Sequence, residues 1–185
     1  RGVVALETAI RGTCAHDRLL DLVENFTAFI ERPGGLIKVV ARNHQLLGVN
    51  AAIENLLEVR AAGEKRLGVF WHTQGSGKSL LMVFASQKLR LHPELRNPTV
   101  LIVVDRIDLD TQISATFNAA DVPNMVGVGD RQELQRLINQ DVRKVLITTI
   151  HKFAEANGVL NERSNIIVMV DEAHRTQEGD LGRQM

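Results

Sequence analysis

The chain has 185 residues, of which 44% are hydrophobic. It can therefore bury one sizeable core and is most simply one domain, without room for a second domain of full size. Its 22 basic residues balance 22 acidic ones, which excludes a basic field over the whole domain and leaves any nucleic-acid contact to a local patch. The single cysteine excludes a disulfide framework and favours a reducing cytoplasm, and the apolar runs are too short to cross a membrane.

The first predicted element is an amphipathic helix over residues 17–31, in which apolar residues recur at helical spacing. Pro33-Gly34-Gly35 is typical of a turn or hinge that ends this helix, and residues 36–40 are compatible with a short strand. A second helix is predicted over residues 44–60 because its apolar residues again fall on one face. Residues 1–41 are therefore expected to form a helical lead-in or linker.

A glycine-containing run follows the second helix, with the sequence His72-Thr73-Gln74-Gly75-Ser76-Gly77-Lys78-Ser79. It lies between the apolar stretch 67–71, predicted to be a strand, and a predicted helix that begins near Leu80. Strand, glycine loop and helix together are the setting of a phosphate-binding P-loop, whose backbone N–H groups point at phosphate oxygens.

The roles of the loop residues follow from that motif. Lys78 is expected to reach the β- and γ-phosphates, and the Ser79 hydroxyl is expected to ligate Mg²⁺. His72 stands where the pattern has glycine, a departure that favours helicase-type loops. The alternative is a glycine turn followed by a chance Lys-Ser pair. The residues expected to bind the nucleotide are Thr73, Gly75, Ser76, Gly77, Lys78 and Ser79.

Beyond the loop, predicted strands alternate with predicted helices. The strands span residues 99–104, 125–128, 144–148 and 165–170, and the helices span residues 109–119 and 132–139. This alternation implies right-handed crossovers and a parallel sheet with helices on both faces, which is an α/β fold. The last strand is apolar at every position, which predicts burial on both of its faces.

Asp171 and Glu172 follow that last strand directly. Ligands collect at the carboxyl ends of strands in open α/β sheets. Asp171 suits a Mg²⁺ ion because a hard cation prefers carboxylate oxygen, and Glu172 can orient and deprotonate an attacking water. The alternative is a helix N-cap followed by an acid in the first turn. An acidic pair after a P-loop favours a catalytic site that uses ATP and Mg²⁺, with Lys78, Asp171 and Glu172 in it.

Two other segments follow strand ends on the same edge of the predicted sheet. Asp105 and Arg106 follow the first of these strands, and Thr149, His151 and Lys152 follow another. In the second segment Thr148, Thr149 and Lys152 offer hydroxyls and a cation, groups of the sort that hold a nucleic-acid backbone. The alternatives are a local ion pair in the first segment, and N-capping by the threonine with a solvated lysine in the second.

Three motifs in combination resemble the motor (restriction, or R) subunit of type I restriction-modification enzymes. These motifs are Gly68 to Ser79, Val104-Asp105-Arg106 with Leu109 and Gln112, and Asp171-Glu172-Ala173-His174-Arg175-Thr176-Gln177. Shorter upstream pieces, Arg18 to Leu22 with Glu24 to Phe26 and Arg42 with His44-Gln45, extend the similarity to residues 17–182. That subunit is a superfamily-2 helicase-like translocase, so the resemblance implies a first RecA-like P-loop NTPase lobe over residues 42–185.

The resemblance also assigns roles that the residues alone leave open. It implies that Gln45 recognises adenine, although this residue is otherwise an ordinary helix N-terminal glutamine. It implies that Arg106, Thr149, His151 and Lys152 line a track for duplex DNA. The expected partners are DNA and the modification and specificity subunits, in the cytoplasm and without a membrane.

The family also has parts that 185 residues do not hold. The upstream nuclease domain, with its paired acids and lysine, has no counterpart in the sequence, and neither does a second RecA-like lobe with its arginine finger. The chain is therefore expected to be a truncated motor lobe that is inactive or nearly so by itself. In the full-length protein the lobe is expected to drive ATP-dependent DNA translocation coupled to cleavage.

Two other functions share part of this pattern. Another superfamily-2 motor, such as an RNA helicase or a chromatin-type remodeller, would share the P-loop and the acidic pair but not the segments 105–106 and 174–177. A regulatory module that senses ATP without turnover would share the P-loop alone. Glu172 argues against such a sensor, because binding without hydrolysis needs no catalytic base.

Overall fold

The computed structural model describes residues 5–73, 75–104, 107–120, 122, 125–154 and 161–171. The chain divides into a first unit, residues 1–85, and a second unit, residues 86–185. None of the helices in the described ranges combines the length and apolar character that a membrane crossing requires.

The first unit contains helices on either side of a β-hairpin. Its elements are α1 (Ala5–Thr13), α2 (His16–Asn25), β1 (Thr27–Arg32), β2 (Gly35–Val40), α3 (Asn43–Ala61) and the start of α4 (Lys78–Leu91). The two strands are antiparallel, with Thr27 opposite Val40 and Arg32 opposite Gly35. Gly35 has a φ of +110°, a left-handed conformation that glycine adopts without strain.

The helix predicted over residues 17–31 is wrong in its second half. α2 ends at Asn25, and the following residues form β1. Along β1 the side chains of Ala28 and Ile30 are buried while the residue between them is exposed, so the burial has the period of a strand. Pairing with β2 stabilises this strand, and the Pro-Gly-Gly segment is the hairpin turn. α2 itself buries none of its residues.

α3 supplies the buried face that the sequence predicted for residues 44–60. Leu46, Val49, Ile53 and Leu56 are all at most 5% exposed and recur at helical spacing. The predicted helix is therefore confirmed, with one extra residue at each end.

The second unit is built on a parallel sheet. Its elements are a short 3₁₀ helix (Pro93–Leu95), β3 (Thr99–Val104), α5 (Ile107–Ala119), β4 (Met125–Gly127), α6 (Arg131–Asn139), β5 (Val145–Thr149), α7 (Ile150–Ala154) and β6 (Ile166–Val170). The strand order is β4-β5-β3-β6, and every neighbouring pair is parallel. This confirms the predicted α/β fold, a parallel sheet flanked by helices of the kind found in RecA-like ATPase lobes.

The carboxyl edge of this sheet is defined by the ends of three neighbouring strands. Val104 of β3 is opposite Thr149 of β5, and Val103 is opposite Val170 of β6. Residues that follow these strands therefore emerge at one edge, as the sequence predicted. The core beneath the edge contains Leu101, Val103, Val128, Leu134, Leu137, Ile138, Leu146 and Ile150.

The burial predicted for the last strand is wrong. β6 lies at one end of the described sheet, where it pairs with β3 on one side. Ile167 is its one buried residue, and Val168 is 40% exposed. The central strands β3 and β5 are instead buried at every position, because each has a neighbour on both sides.

The strand predicted for residues 67–71 is also wrong. This segment has no regular secondary structure, and Val69 and Trp71 are 77% and 87% exposed. The described sheet has no strand from this segment, so the apolar run has no hydrogen-bonding ladder to order it. Phe70 anchors the segment to α3. Its ring lies so close to Gly48 that a Cβ atom at that position would be 2.1 Å from it.

Candidate functional site

The predicted phosphate loop enters α4 through two glycines in left-handed conformations. Gly75 has a φ of +77° and Gly77 a φ of +90°, which residues with a side chain adopt only at a cost. The N–H of Ser76 donates to the carbonyl oxygen of Thr73 at 3.3 Å, and α4 begins at Lys78. The loop therefore runs directly into the positive end of a helix dipole, as an anion site requires.

Lys78 and Ser79 occupy the first two positions of α4. Both side chains are half-buried. The N–H groups in the first turn of a helix have no partner within the helix and can donate to an anion. The structure therefore places both residues at the N-terminus of α4, and their roles as phosphate and magnesium ligands remain predictions.

His72 stands at the position where the usual loop has glycine, and its ring has close neighbours. The Phe70 ring stacks on it with centroids 5.3 Å apart and 13° between the planes, and the His44 ring is 5.0 Å away. Its Nδ1 atom is hydrogen-bonded to the hydroxyl of Ser76. Burial lowers the pKa of His72 below 6.5, and the nearby His44 and Lys78 lower this pKa further. All three causes favour the neutral form of the imidazole.

Gln45 lies against the phosphate loop. Its side chain is 3% exposed, and its Nε2 atom donates to the carbonyl oxygen of Gly77 at 3.1 Å. Its Oε1 atom accepts from the N–H of Arg42 at 2.8 Å. The amide thus ties the start of α3 to the loop, and both of its polar atoms have backbone partners. The structure brings Gln45 to the predicted nucleotide site, and the reading of adenine by its amide stays a prediction.

Asp171 directly follows β6 in the second unit. Its N–H donates to the carbonyl oxygen of Val103 at 2.9 Å, so backbone pairing with β3 continues through this residue. The side chain is half-buried. Asp171 is therefore fixed at the carboxyl edge, where the sequence predicted it.

The donor set suits the predicted cation. Ser79 offers a hydroxyl oxygen and Asp171 a carboxylate oxygen, and Mg²⁺ is bound by oxygen atoms of these kinds together with phosphate and water. Their shared role as magnesium ligands remains a prediction.

Several predicted site residues lie outside the described residues. These are Gln74, Asp105, Arg106, Glu172 and the run 173–177. The roles of Glu172 as a base and of Arg106 as a DNA contact therefore depend on the sequence alone.

The predicted DNA-contacting segment after β5 is short and helical. Thr149 is the last residue of β5 and is 2% exposed, whereas His151 in α7 is exposed. The Lys152 Nζ atom donates to the carbonyl oxygen of Val128 at 2.9 Å. An ammonium group has three donors, so it can hold this carbonyl oxygen and also donate to a phosphate. The lysine and the histidine reach the surface, and the threonine hydroxyl does not.

Lys152 also borders an open groove of about 480 Å³. Its lining residues come from α5, from the end of β4 and from α7: Ser114, Ala115, Asn118, Gly127, Val128, Gly129 and Lys152. The groove combines backbone at two glycines with polar side chains and one cation, which is a surface suited to a sugar-phosphate backbone.

Sequence reasoning missed the histidine pair beside the phosphate loop. It treated His72 only as a departure from the glycine pattern and His44 only as part of the resemblance. The available signal was the large polar ring at a loop position usually held by glycine. Its partners could not be found from spacing alone, because His44 is 28 positions away in the sequence.

Comparison with known proteins gives a consistent family. The SWI2/SNF2 ATPase family model matches residues 44–185. The type I restriction enzyme HindI endonuclease subunit of Haemophilus influenzae is 43% identical over 94% of this chain and 18% of that protein. The SauCOLORF180P endonuclease subunit of Staphylococcus aureus is 33% identical, over 80% of this chain and 16% of its own. A putative type I restriction enzyme MjaIXP endonuclease subunit of Methanocaldococcus jannaschii is 29% identical over 98% of this chain and 18% of that protein.

These similarities confirm the resemblance predicted from the motifs, to the endonuclease subunit of type I restriction enzymes and to helicase-like ATPases. The chain spans less than a fifth of the length of these relatives.

Proposed function

Because the chain belongs to the SWI2/SNF2 ATPase family, we propose that it is the first RecA-like motor lobe of a type I restriction endonuclease subunit. In this proposal residues 42–185 form the lobe and residues 1–41 a lead-in. The lobe hydrolyses ATP and thereby drives duplex DNA translocation, which the whole subunit couples to cleavage. The observation that carries the proposal is the loop 72–79, in which two left-handed glycines lead into the N-terminus of α4.

The chemistry follows from the residues at the two motifs. N–H groups between Gly75 and Ser79 hold phosphate oxygens, while Lys78 offsets negative charge on the β- and γ-phosphates. Ser79 and Asp171 would hold Mg²⁺, which would supply further positive charge against the phosphate oxygens. Glu172 accepts a proton from the water that attacks the γ-phosphorus, and the bond from that phosphorus to the bridging oxygen of ADP breaks.

The lobe works with partners in this proposal. Charge on the transferring phosphoryl group is offset by an arginine from a second RecA-like lobe, an effect worth about 10³–10⁵ in rate. The 185 residues by themselves therefore bind MgATP but turn it over near background. The modification and specificity subunits supply DNA recognition, and the complex acts in the cytoplasm.

Gln45→Ala should weaken ATP binding more than it weakens binding of inorganic triphosphate. A planar amide makes two hydrogen bonds with an adenine edge, and leaving the base groups unpaired costs about 1–3 kcal/mol. The affinities of the chain for ATP, GTP and triphosphate, measured by isothermal titration calorimetry, separate the base from the phosphates. Equal losses for all three ligands would mean that Gln45 acts only through its bonds to Arg42 and Gly77.

The proposed DNA track runs along the carboxyl edge of the second unit. Its described members are Thr149, His151 and Lys152, and Arg106 completes it. Two observations support the track: Lys152 borders the 480 Å³ groove, and His151, which precedes it in α7, is exposed. Thr149 is buried and is expected to support α7 from beneath.

Lys152→Ala tests this function directly in a polypeptide that joins the chain to a second RecA-like lobe of a type I endonuclease subunit. Duplex DNA should stimulate ATP hydrolysis by the joined protein, and the variant should need several-fold more DNA for half-maximal stimulation. The slope of log affinity against log salt should fall by about 1, because one phosphate contact is lost.

Lys144→Ala is the matched control, since Lys144 precedes β5 at the opposite edge of the sheet and carries the same charge. Equal DNA affinities in both variants would remove Lys152 from the track. Hydrolysis that duplex DNA leaves unchanged in the joined protein would contradict the translocase function.

A further inference from the structure

The phosphate loop is closed on itself by side chains as well as by backbone. His72 Nδ1 is hydrogen-bonded to the Ser76 hydroxyl oxygen, and that hydroxyl donates to the carbonyl oxygen of Thr73. A serine hydroxyl has one proton, and a carbonyl oxygen only accepts. The Ser76 proton therefore goes to Thr73, so His72 must donate its Nδ1 proton to Ser76. This fixes the tautomer of His72.

Two rings from outside this chain of hydrogen bonds hold the imidazole in place. Phe70 stacks on it, and the Phe70 ring is itself seated where Gly48 of α3 has no side chain. The His44 ring approaches from α3, and its Nε2 atom lies 3.4 Å from the carbonyl oxygen of Ser76. The imidazole is thus oriented by contacts with α3 and with the segment before the loop.

From this geometry we infer that His72 is a positioning residue for nucleotide binding, an inference that rests on the ATPase function proposed above. With glycine at this position the Ser76 hydroxyl would still reach the carbonyl oxygen of Thr73, but no side chain at residue 72 would hold that hydroxyl in place. The histidine adds a side-chain bridge that holds the loop in the shape in which Gly75 and Gly77 present their N–H groups. A loop held in its binding shape loses less conformational entropy when it takes up phosphate. His72 acts through Ser76 and touches no phosphate.

Three variants separate the hydrogen bond from the ring packing. His72→Phe keeps an aromatic ring beside Phe70 and His44 but removes the donor. His72→Asn loses the ring but can place an amide N–H near the position of Nδ1. Ser76→Ala removes the acceptor, together with the hydroxyl's own bond to the carbonyl oxygen of Thr73, and keeps the backbone N–H.

The readout is the affinity of the whole chain for MgATP and for inorganic triphosphate, measured by isothermal titration calorimetry. We expect His72→Phe to weaken both ligands by about three- to tenfold, as the loss of one hydrogen bond does, and Ser76→Ala to weaken them by at least as much, because it also removes the bond to Thr73. His72→Asn should stay within about twofold of wild type. The double variant His72→Phe with Ser76→Ala should bind no more weakly than the weaker single variant, because both remove the same bond.

The outcomes distinguish this inference from the proposed function. Wild-type affinity in His72→Phe, or an equal loss in His72→Phe and His72→Asn, overturns the positioning role while the ATPase function stands. Absence of MgATP binding in the wild-type chain overturns both. Circular dichroism establishes that each variant is folded, and if His72→Phe is not, Ser76→Ala decides because it removes the bond from the other side.

Discussion

Replacing Lys78 with alanine should abolish MgATP binding and leave folding unchanged. The side chain is half-buried at the first position of α4, and alanine is a good helix former there. Losing a charge-assisted contact to phosphate costs about 2 kcal/mol or more, which is roughly a thirtyfold loss of affinity from that contact alone. Titration calorimetry gives the affinity, and urea unfolding gives the stability of the same protein.

The control for this experiment is Lys88→Ala, which removes the same charge from the last turn of the same helix. It should bind MgATP as the wild type does. Two results would contradict the P-loop assignment: a Lys78→Ala protein that binds MgATP normally, and one that loses binding only because it unfolds.

Glu172→Gln should retain MgATP binding and lose turnover, since the amide keeps the shape of the side chain and removes the base. The loss should be about 10²–10⁴-fold, the typical contribution of general base catalysis. It is best measured as phosphate release in the polypeptide joined to a second lobe, where the wild-type rate is high enough to show the difference.

Asp171→Asn is the companion variant, and its defect should be of another kind. A neutral amide is a weaker ligand for a hard cation, so more Mg²⁺ should restore much of its activity. Normal hydrolysis by Glu172→Gln would make the base assignment wrong.

The second unit was the easier part of the chain to predict. The strand predicted at residues 99–104 has the observed bounds of β3, and α6 buries the three predicted residues Leu134, Leu137 and Ile138. The sheet buries its central strands on both faces, and residues 100–104 of β3 and 145–147 of β5 are correspondingly apolar without a break. α6 has a local start signal, since Asp130 accepts from the N–H of Glu133 and Glu133 accepts from the N–H of Gly129.

The errors occur where structure depends on distant residues. Residues 17–31 carry apolar side chains at helical spacing, but within them Ala28 and Ile30 also fit the alternation of a strand. Pairing with β2 selects the strand over the helix, and that pairing cannot be seen in the local sequence of residues 17–31. The error at residues 67–71 is the opposite one. The composition of this segment is typical of a strand, but the described sheet has no strand from it.

In the candidate site, too, local features could be predicted and contacts between distant residues could not. The ligand types at Lys78, Ser79 and Asp171 follow from motifs of fixed spacing, and the structure places each at the predicted helix start or strand end. The bond from Gln45 to the carbonyl oxygen of Gly77 and the closure of the loop by His72 could not be predicted, because both depend on side-chain orientations that no spacing reveals.

Trp71 is the one tryptophan in the chain, and its side chain is 87% exposed immediately before His72. The sequence contains no tyrosine, so excitation near the red edge of protein absorbance addresses this indole alone. Its emission therefore reports the polarity around a single position at the entrance to the phosphate loop. The rate at which the loop responds to a nucleotide is thus measurable by stopped-flow intrinsic fluorescence, without a label.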